Sequence, residues 1–202
     1  MKTDLSDKEL VFPPDSNPYG VSYAEWTARW WQWILSLQIE SHPAIDQTGE
    51  NCKLNQNGPV WFLAGTVGGV AHRSCSISSG LALLLPVLNH GGTLADEPTF
   101  KSEDDLQLHA RREMDVISEL EVNIDGMNIN GLEEYRVQTL VFDVVLPKNN
   151  LFGGIPGPTK GVADGYWLFI KPFALGKHKI HCFGSCRAGK VIIGIDWDIT
   201  IT

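Results

Sequence analysis

The sequence predicts a mainly β fold: an antiparallel β-sandwich of jelly-roll or immunoglobulin-like type, with two helices packed on it. Many short apolar segments are separated by turns rich in glycine and proline, which is typical of sandwiches and barrels. Two other segments repeat their apolar residues at the helical period. The 202 residues show no internal repeat and no linker, so we expect one domain over 1–202, a length that all-β domains often reach.

Residues 1–21 are expected to form an irregular arm, because Pro13, Pro14 and Pro18 interrupt any helix there. A tryptophan-rich helix is predicted over 22–38. It starts at Ser22, which precedes Glu25 by three positions, the spacing of a capping box. Four of the seven tryptophans lie in this helix, and its main apolar stripe consists of Trp26, Trp30, Trp33 and Leu37.

The sandwich is expected to occupy 59–202, with a second helix near 102–118. That helix starts at Ser102, and Asp105 three residues later completes a second capping-box pattern. The run 81–85 has no polar alternation, so we expect that strand to be buried on both faces. The main strands are predicted at 60–64, 73–77, 81–87, 120–124, 135–146, 166–171, 177–183 and 191–202.

The last predicted strand alternates strictly between apolar and polar side chains. Successive side chains of a strand point to opposite faces, so one face is apolar and the other polar. The apolar members are Ile193, Ile195, Trp197, Ile199 and Ile201, and the polar members are Asp196, Asp198, Thr200 and Thr202.

The charge balance excludes some partners. The formal net charge is −8, and nucleic-acid binding requires clustered Lys and Arg, so no nucleic-acid partner is expected. The longest apolar run, 81–88, is too short to span a bilayer, and the N-terminus lacks the apolar stretch of a secretory signal. We therefore expect a soluble chain that is either cytoplasmic or exported with its signal already removed.

Four cysteines leave the redox compartment open. Free cysteines are commonly buried, so the favoured interpretation is four buried thiols. The alternative is a disulfide, with Cys52–Cys75 as the better candidate, which would suit an oxidising compartment. A metal-binding role is the third alternative.

A set of short motifs resembles an uncharacterised group of bacterial proteins, many of which look secreted. The motifs are Glu25-Trp26, the segment 29–33, His42-Pro43, Asp46, Gly49, Cys52, the segment 58–65, Arg73 with Cys75, Pro86 with Asn89, the segment 163–167 and Gly176-Lys177-His178. The resemblance covers most of the chain and implies no catalytic residue, because no activity is established for the group. The final strands also look like those of immunoglobulin-like sandwiches, which is an analogy of fold alone.

Aromatic rings can stack on sugars or cofactors, although most of the tryptophans here are expected in the core. Trp31, Trp61 and Trp167 are the candidates for ligand contact. Arg73, beside Ser74, could hold an anion with its bidentate guanidinium; pairing with an acidic side chain is the alternative.

His90 and His178 could form a metal or catalytic site together with a carboxylate, because imidazole and carboxylate suit Zn, Fe or Cu. Asp164 is the candidate carboxylate. The alternatives for Asp164 are a structural role in a turn and, less favoured, calcium binding. No recognised metal or cofactor motif is present, so the identity of any cofactor stays open.

Three functional hypotheses follow. The first is a non-catalytic binding or assembly module that recognises a glycan or other small molecule, or forms an oligomer contact, through its loops at 41–58, 89–99 and 149–162. The second is an enzyme with a small pocket that uses a histidine with Asp or Arg, with or without a metal. The third is a structural subunit of a homo-oligomer.

Overall fold

A computed structural model of the chain describes residues 7–96, 99–187 and 190–202. Within these residues two five-stranded sheets pack together as a β-sandwich, and two longer helices accompany them, which confirms the predicted fold class. Residues 1–6 of the predicted arm and 97–98 of one predicted loop lie outside the described residues.

The helical elements are a short turn α1 (Asp7–Leu10), α2 (Tyr23–Leu35), α3 (Glu103–Met114) and three 3₁₀ turns at Pro18–Gly20, Ile39–Ser41 and Leu132–Tyr135. The strands are β1 (Val60–Phe62), β2 (Gly69–Ile77), β3 (Ala82–Thr93), β4 (Ile117–Ile124), β5 (Met127–Asn128), β6 (Arg136–Gln138), β7 (Phe142–Leu146), β8 (Gly157–Ile170), β9 (Gly176–Cys186) and β10 (Val191–Ile201).

The first sheet has the order β1-β3-β8-β6, with β7 also paired to β8; the second has the order β2-β10-β9-β4-β5. Two pairings are parallel, β1 with β3 and β2 with β10, so the sheets are mixed rather than purely antiparallel. The chain leaves β1 for β2 in the other sheet before it returns as β3. Such a crossover allows parallel pairing, which a tight hairpin does not.

The first sheet is the central layer of the molecule. Residues 82–88 of β3 and 161–170 of β8 are all buried, as predicted for the apolar run in β3. The second sheet packs on one side, and α2 packs against β6, β7 and β8. The outward face of the second sheet has no such cover from α2, and its strands alternate between buried and exposed residues.

Helix α2 begins as its sequence predicts, since the Ser22 hydroxyl accepts the Glu25 backbone N–H at 3.2 Å. The Glu25 carboxylate binds Arg29 instead of completing a capping box. At Ser102 both halves of the box are present. Three of the four indole N–H groups of α2 donate to backbone carbonyls outside the helix: Trp26 to Pro18, Trp30 to Leu63 and Trp33 to Leu54.

Several predicted boundaries are wrong. The loop predicted at 89–99 begins only after Thr93, because β3 continues to that residue and pairs there with β8. Helix α2 ends at Leu35 rather than at 38, and α3 ends at Met114 rather than at 118.

The segment 149–162 was expected to be loop, but β8 already begins at Gly157, because β7 pairs with 157–161. At Gly161 a side chain would meet the Phe142 ring at 2.5 Å, so only glycine fits there. The predicted strand 135–146 is split into β6 and β7, since the Thr139 hydroxyl accepts the Ala163 N–H in place of a ladder bond.

Candidate ligand-binding site

A broad concavity lies on the outward face of the second sheet and has a volume of about 1490 Å³. We call it the polar groove. The predicted alternation of β10 is confirmed: Ile195, Trp197 and Ile199 are buried, whereas the alternate side chains line the groove. The polar side chains of β2, β9 and β10 that line it are His72, Ser74, Ser76, Lys177, Lys179, His181, Asp196, Asp198 and Thr200.

Cross-strand pairing arranges the polar side chains of the groove. In the register of the sheet, Asp196 lies between His72 and His181, and Asp198 lies beside Lys179. His72 Nε2 donates to Asp198 Oδ2 at 2.8 Å, and Lys179 Nζ donates to Asp198 Oδ1 at 2.7 Å. His181 Nδ1 donates to Asp196 Oδ1 at 2.8 Å. The hydrogen bonds from Lys179 and His72 lower the pKa of Asp198, which stays ionised at neutral pH.

One end of the groove is closed by the turn between β4 and β5. Asp125 has a positive φ of 52° there, and its carboxylate accepts both His178 Nδ1 at 2.6 Å and the Lys179 backbone N–H at 2.7 Å. His178 Nε2 lies 2.9 Å from the Ala174 carbonyl, and the ring stacks on Phe173. His178 pairs with the buried Ile199, so its ring lies on the opposite face of β9 from Lys177 and Lys179, with both ring nitrogens engaged. Its predicted ligand role stays a prediction.

Trp31, Trp61 and Trp167 do not contact a ligand at the surface. They are 5%, 8% and 0% exposed, so the expectation that they meet a ligand is wrong. Trp31 packs over Gly91, where an added Cβ would lie 2.8 Å from the indole, and Trp167 packs on Trp30 with ring centroids 5.2 Å apart. All three are part of the hydrophobic core.

Arg73 is not an anion site either. Its side chain is fully buried and donates to four backbone carbonyls of the segment 44–65, at Ala44, Asp46, Ala64 and Gly65. Its guanidinium lies 5.5 Å from the Trp197 ring centroid. Burial lowers the pKa of Arg73 to about 10, against the opposing pull of Asp46, so it remains charged at neutral pH. Arg73 therefore forms neither the predicted anion site nor the predicted ion pair with an acidic side chain. We call its four hydrogen bonds to backbone carbonyls the carbonyl clamp.

The segment held by Arg73 is fixed at several other points. Asp46 accepts the backbone N–H groups of Thr48, Gly49 and Asn51; burial opposes its ionisation, but these bonds outweigh it and lower its pKa. The Thr48 backbone carbonyl accepts the Ser74 backbone N–H, so this segment covers the edge of β2.

Cys52 and Cys75 form a disulfide that joins this segment to β2. This is the pairing named from the sequence, and it corrects the favoured expectation of four thiols. Cys182 and Cys186 are buried free thiols. Burial raises the pKa of Cys182 to about 12, so this thiol is inert at neutral pH.

His90 and Asp164 are brought together as cross-strand partners in β3 and β8. The Asp164 carboxylate is buried and accepts Nε and Nη2 of Arg136 at 3.0 and 3.1 Å, so it does not serve as an open ligand or a calcium site. His90 Nε2 lies 3.2 Å from His109 Nε2. His90 and His178 lie in different sheets, on β3 and β9, so the predicted site that combines them with a carboxylate does not form.

His72, Lys179, His181, Asp196 and Asp198 were not chosen as site residues from the sequence. The alternation of β10 pointed both aspartates outward, but the neighbours of β10 were unknown. His109 gave no sequence signal beyond its place in a predicted helix.

No family model matches this chain, and no curated protein or solved structure matches it either. The resemblance to the uncharacterised bacterial group stays a prediction. None of the helices that the structure describes is long and apolar enough to cross a membrane. Across 7–96, 99–187 and 190–202, no group of three or more His, Cys, Asp or Glu side chains could hold a metal ion.

Proposed function

We propose that this chain is a non-catalytic binding module that holds a neutral glycan along the polar groove. The observation that carries the proposal is the groove itself, about 1490 Å³ on a sheet face that α2 leaves uncovered. This volume exceeds the roughly 300–1,000 Å³ of common small-molecule pockets, so it suits an extended ligand of several sugar units.

The charges of the groove favour a neutral polar ligand. Three carboxylates, of Asp125, Asp196 and Asp198, face the two ammonium groups of Lys177 and Lys179 and the imidazoles of His72 and His181. Asp198 and Asp196 are already paired with cationic or imidazole donors. Such a balanced surface attracts neither polyanions nor polycations, whereas sugar hydroxyls both donate to carboxylates and accept from Lys and His.

The outward face of the second sheet is apolar around Gly194. Val70 and Phe183 flank Gly194 in adjacent strands, and an added Cβ at Gly194 would lie 3.3 Å from Val70 and 3.6 Å from Phe183. Val70 is 64% exposed. A sugar ring has an apolar C–H face besides its hydroxyls, so polar and apolar regions on one sheet match its two kinds of surface.

The disulfide between Cys52 and Cys75 supports an oxidising compartment as the place where the module works. This proposal chooses the exported alternative of the sequence analysis. Thiol counting by mass spectrometry, on protein taken from cells under alkylating conditions, tests it: a fully alkylated Cys52 would overturn it.

Binding is tested by titrating ¹⁵N-labelled protein with neutral oligosaccharides, namely cellopentaose, xylopentaose, maltopentaose and chitopentaose. At least one should shift the amide signals of β9 and β10. Asp198→Asn removes the charge that orients Lys179 and His72, so the affinity should fall by about tenfold or more, as expected for a hydrogen bond to a charged group. The matched control is Asp143→Asn, whose side chain is 87% exposed on β7, and it should bind like the wild type.

Four results would overturn the proposal. The first is that none of the four oligosaccharides shifts the amide signals of the groove. The second is that Asp198→Asn binds as tightly as Asp143→Asn. Release of shortened oligosaccharides would favour the enzyme hypothesis, since Asp196 orients His181 as a carboxylate orients a histidine base. Sedimentation showing a dimer that Val70→Lys dissociates would favour assembly through the apolar end.

A further inference from the structure

Two imidazoles converge between the first sheet and α3. His90 lies near the end of β3 and His109 lies in α3, nineteen positions apart in the chain. Their Nε2 atoms are 3.2 Å apart, and the rings stand at 70° to each other with centroids 5.0 Å apart. Both side chains are half-buried, so water reaches the pair.

The Nε2–Nε2 distance matches the spacing of two ligands on one metal ion. Zinc–nitrogen bonds of about 2.0–2.1 Å in tetrahedral geometry place two nitrogens about 3.3 Å apart. We propose that His90 and His109 form a two-imidazole site for a divalent transition metal such as Zn²⁺, Ni²⁺ or Cu²⁺. Imidazole favours these ions over Mg²⁺ and Ca²⁺, which take oxygen ligands.

Rigid elements hold both rings in place. His90 lies opposite Asp164, and the residues before and after it in β3 also pair with β8. Helix α3 is anchored by its buried stripe of Leu106, Ala110 and Met114, next to His109. The Phe100 ring packs against the His109 ring with centroids 5.0 Å apart. A site built on a strand and a packed helix has little to reorganise when a metal binds.

The described part of the chain supplies two protein ligands to this site. The nearest cross-strand carboxylate, that of Asp164, is taken by Arg136 in a bidentate ion pair. This agrees with the absence of any three-member ligand group among the described residues. The remaining coordination positions would be filled by water or by a donor from a bound molecule.

The test uses untagged full-length protein, since a histidine tag would bind the same metals. Calorimetric titration with Zn²⁺ and Ni²⁺ should show one ion per chain, and Cu²⁺ electron paramagnetic resonance should show coupling to two imidazole nitrogens. His109→Gln and His90→Gln should each weaken binding by about tenfold or more, since losing even an outer-shell partner costs that much. His72→Gln, which removes a histidine from the other sheet, should bind normally.

The proposal is overturned if the wild type binds none of the three ions. It is equally overturned if neither His90→Gln nor His109→Gln weakens binding, or if His72→Gln abolishes it. The nitrogen coupling in the wild type decides the question independently should a variant fail to fold. Because the site lies on the first sheet, its failure leaves the glycan proposal untouched.

Discussion

The disulfide between Cys52 and Cys75 should supply much of the stability of this domain. It closes a loop with a sequence separation of 23. By chain-entropy arithmetic, opening a loop of that size costs about 3.4 kcal/mol, because the unfolded chain regains the freedom that the cross-link removed. A domain of this size changes its unfolding temperature by about 2–4 °C per kcal/mol, so reduction should lower that temperature by roughly 10 °C.

The folded structure should survive reduction, because Arg73 and Asp46 hold the same segment by hydrogen bonds. The assay is thermal unfolding followed by near-UV circular dichroism, with and without reductant. Thiol titration in denaturant should count two free thiols per chain before reduction and four after it. The variant Cys52→Ala/Cys75→Ala is the control and should not respond to reductant. An unchanged unfolding temperature while the thiol count rises from two to four would refute the reasoning.

Two further predictions concern the buried polar groups around the same segment. Arg73→Met should lower the free energy of unfolding in urea by about 3–5 kcal/mol, because it leaves four carbonyls without their donor, two of them in buried and two in part-buried hydrogen bonds. Arg29→Met, at an exposed pair, should change it by less than about 1 kcal/mol. Burial lowers the pKa of His42, which donates Nε2 to the Ile34 carbonyl and accepts the Ala44 N–H at Nδ1. Below the ordinary histidine pKa the unfolded state therefore binds more protons at His42 than the folded state does. The stability that neutral His42 contributes to the folded protein is present above that pKa and is lost as the pH falls below it. The advantage of the wild type over His42→Gln in urea denaturation should shrink between pH 7.5 and pH 5; a constant difference would contradict it.

Local patterns predicted the elements whose signal lies within one segment. Helix α2 follows from its tryptophan spacing and its Ser22 cap, and the faces of β10 follow from alternation. The burial of Trp31 could not be predicted in this way. It lies off the main stripe of α2, but the backbone of Gly91 in β3 leaves room for its ring. That contact joins segments about sixty residues apart, beyond the reach of any local period.

The same limit applies to Arg73 and to the polar groove. A sequence shows a charged residue at the start of a strand, yet the carbonyls that satisfy Arg73 come from two separate stretches of chain, at 44–46 and 64–65. Outward-facing Asp198 was predictable, but its partner His72 is 126 positions away and meets it only through the parallel pairing of β2 with β10. Register between such distant strands is set by the whole fold.

Stability and the proposed binding face are therefore connected through β2. This strand is at the edge of its sheet, and consecutive residues serve opposite sides: Arg73 points into the core under Trp197, and His72 points to the groove beside Asp198. A slip of one residue would exchange the two faces and bury His72 in place of Arg73. The carbonyl clamp and the disulfide at Cys75 oppose that slip, because each ties an inward-facing residue of β2 to the segment that covers its edge. A buried charge that does not face the groove thus helps to fix the geometry of the proposed binding face.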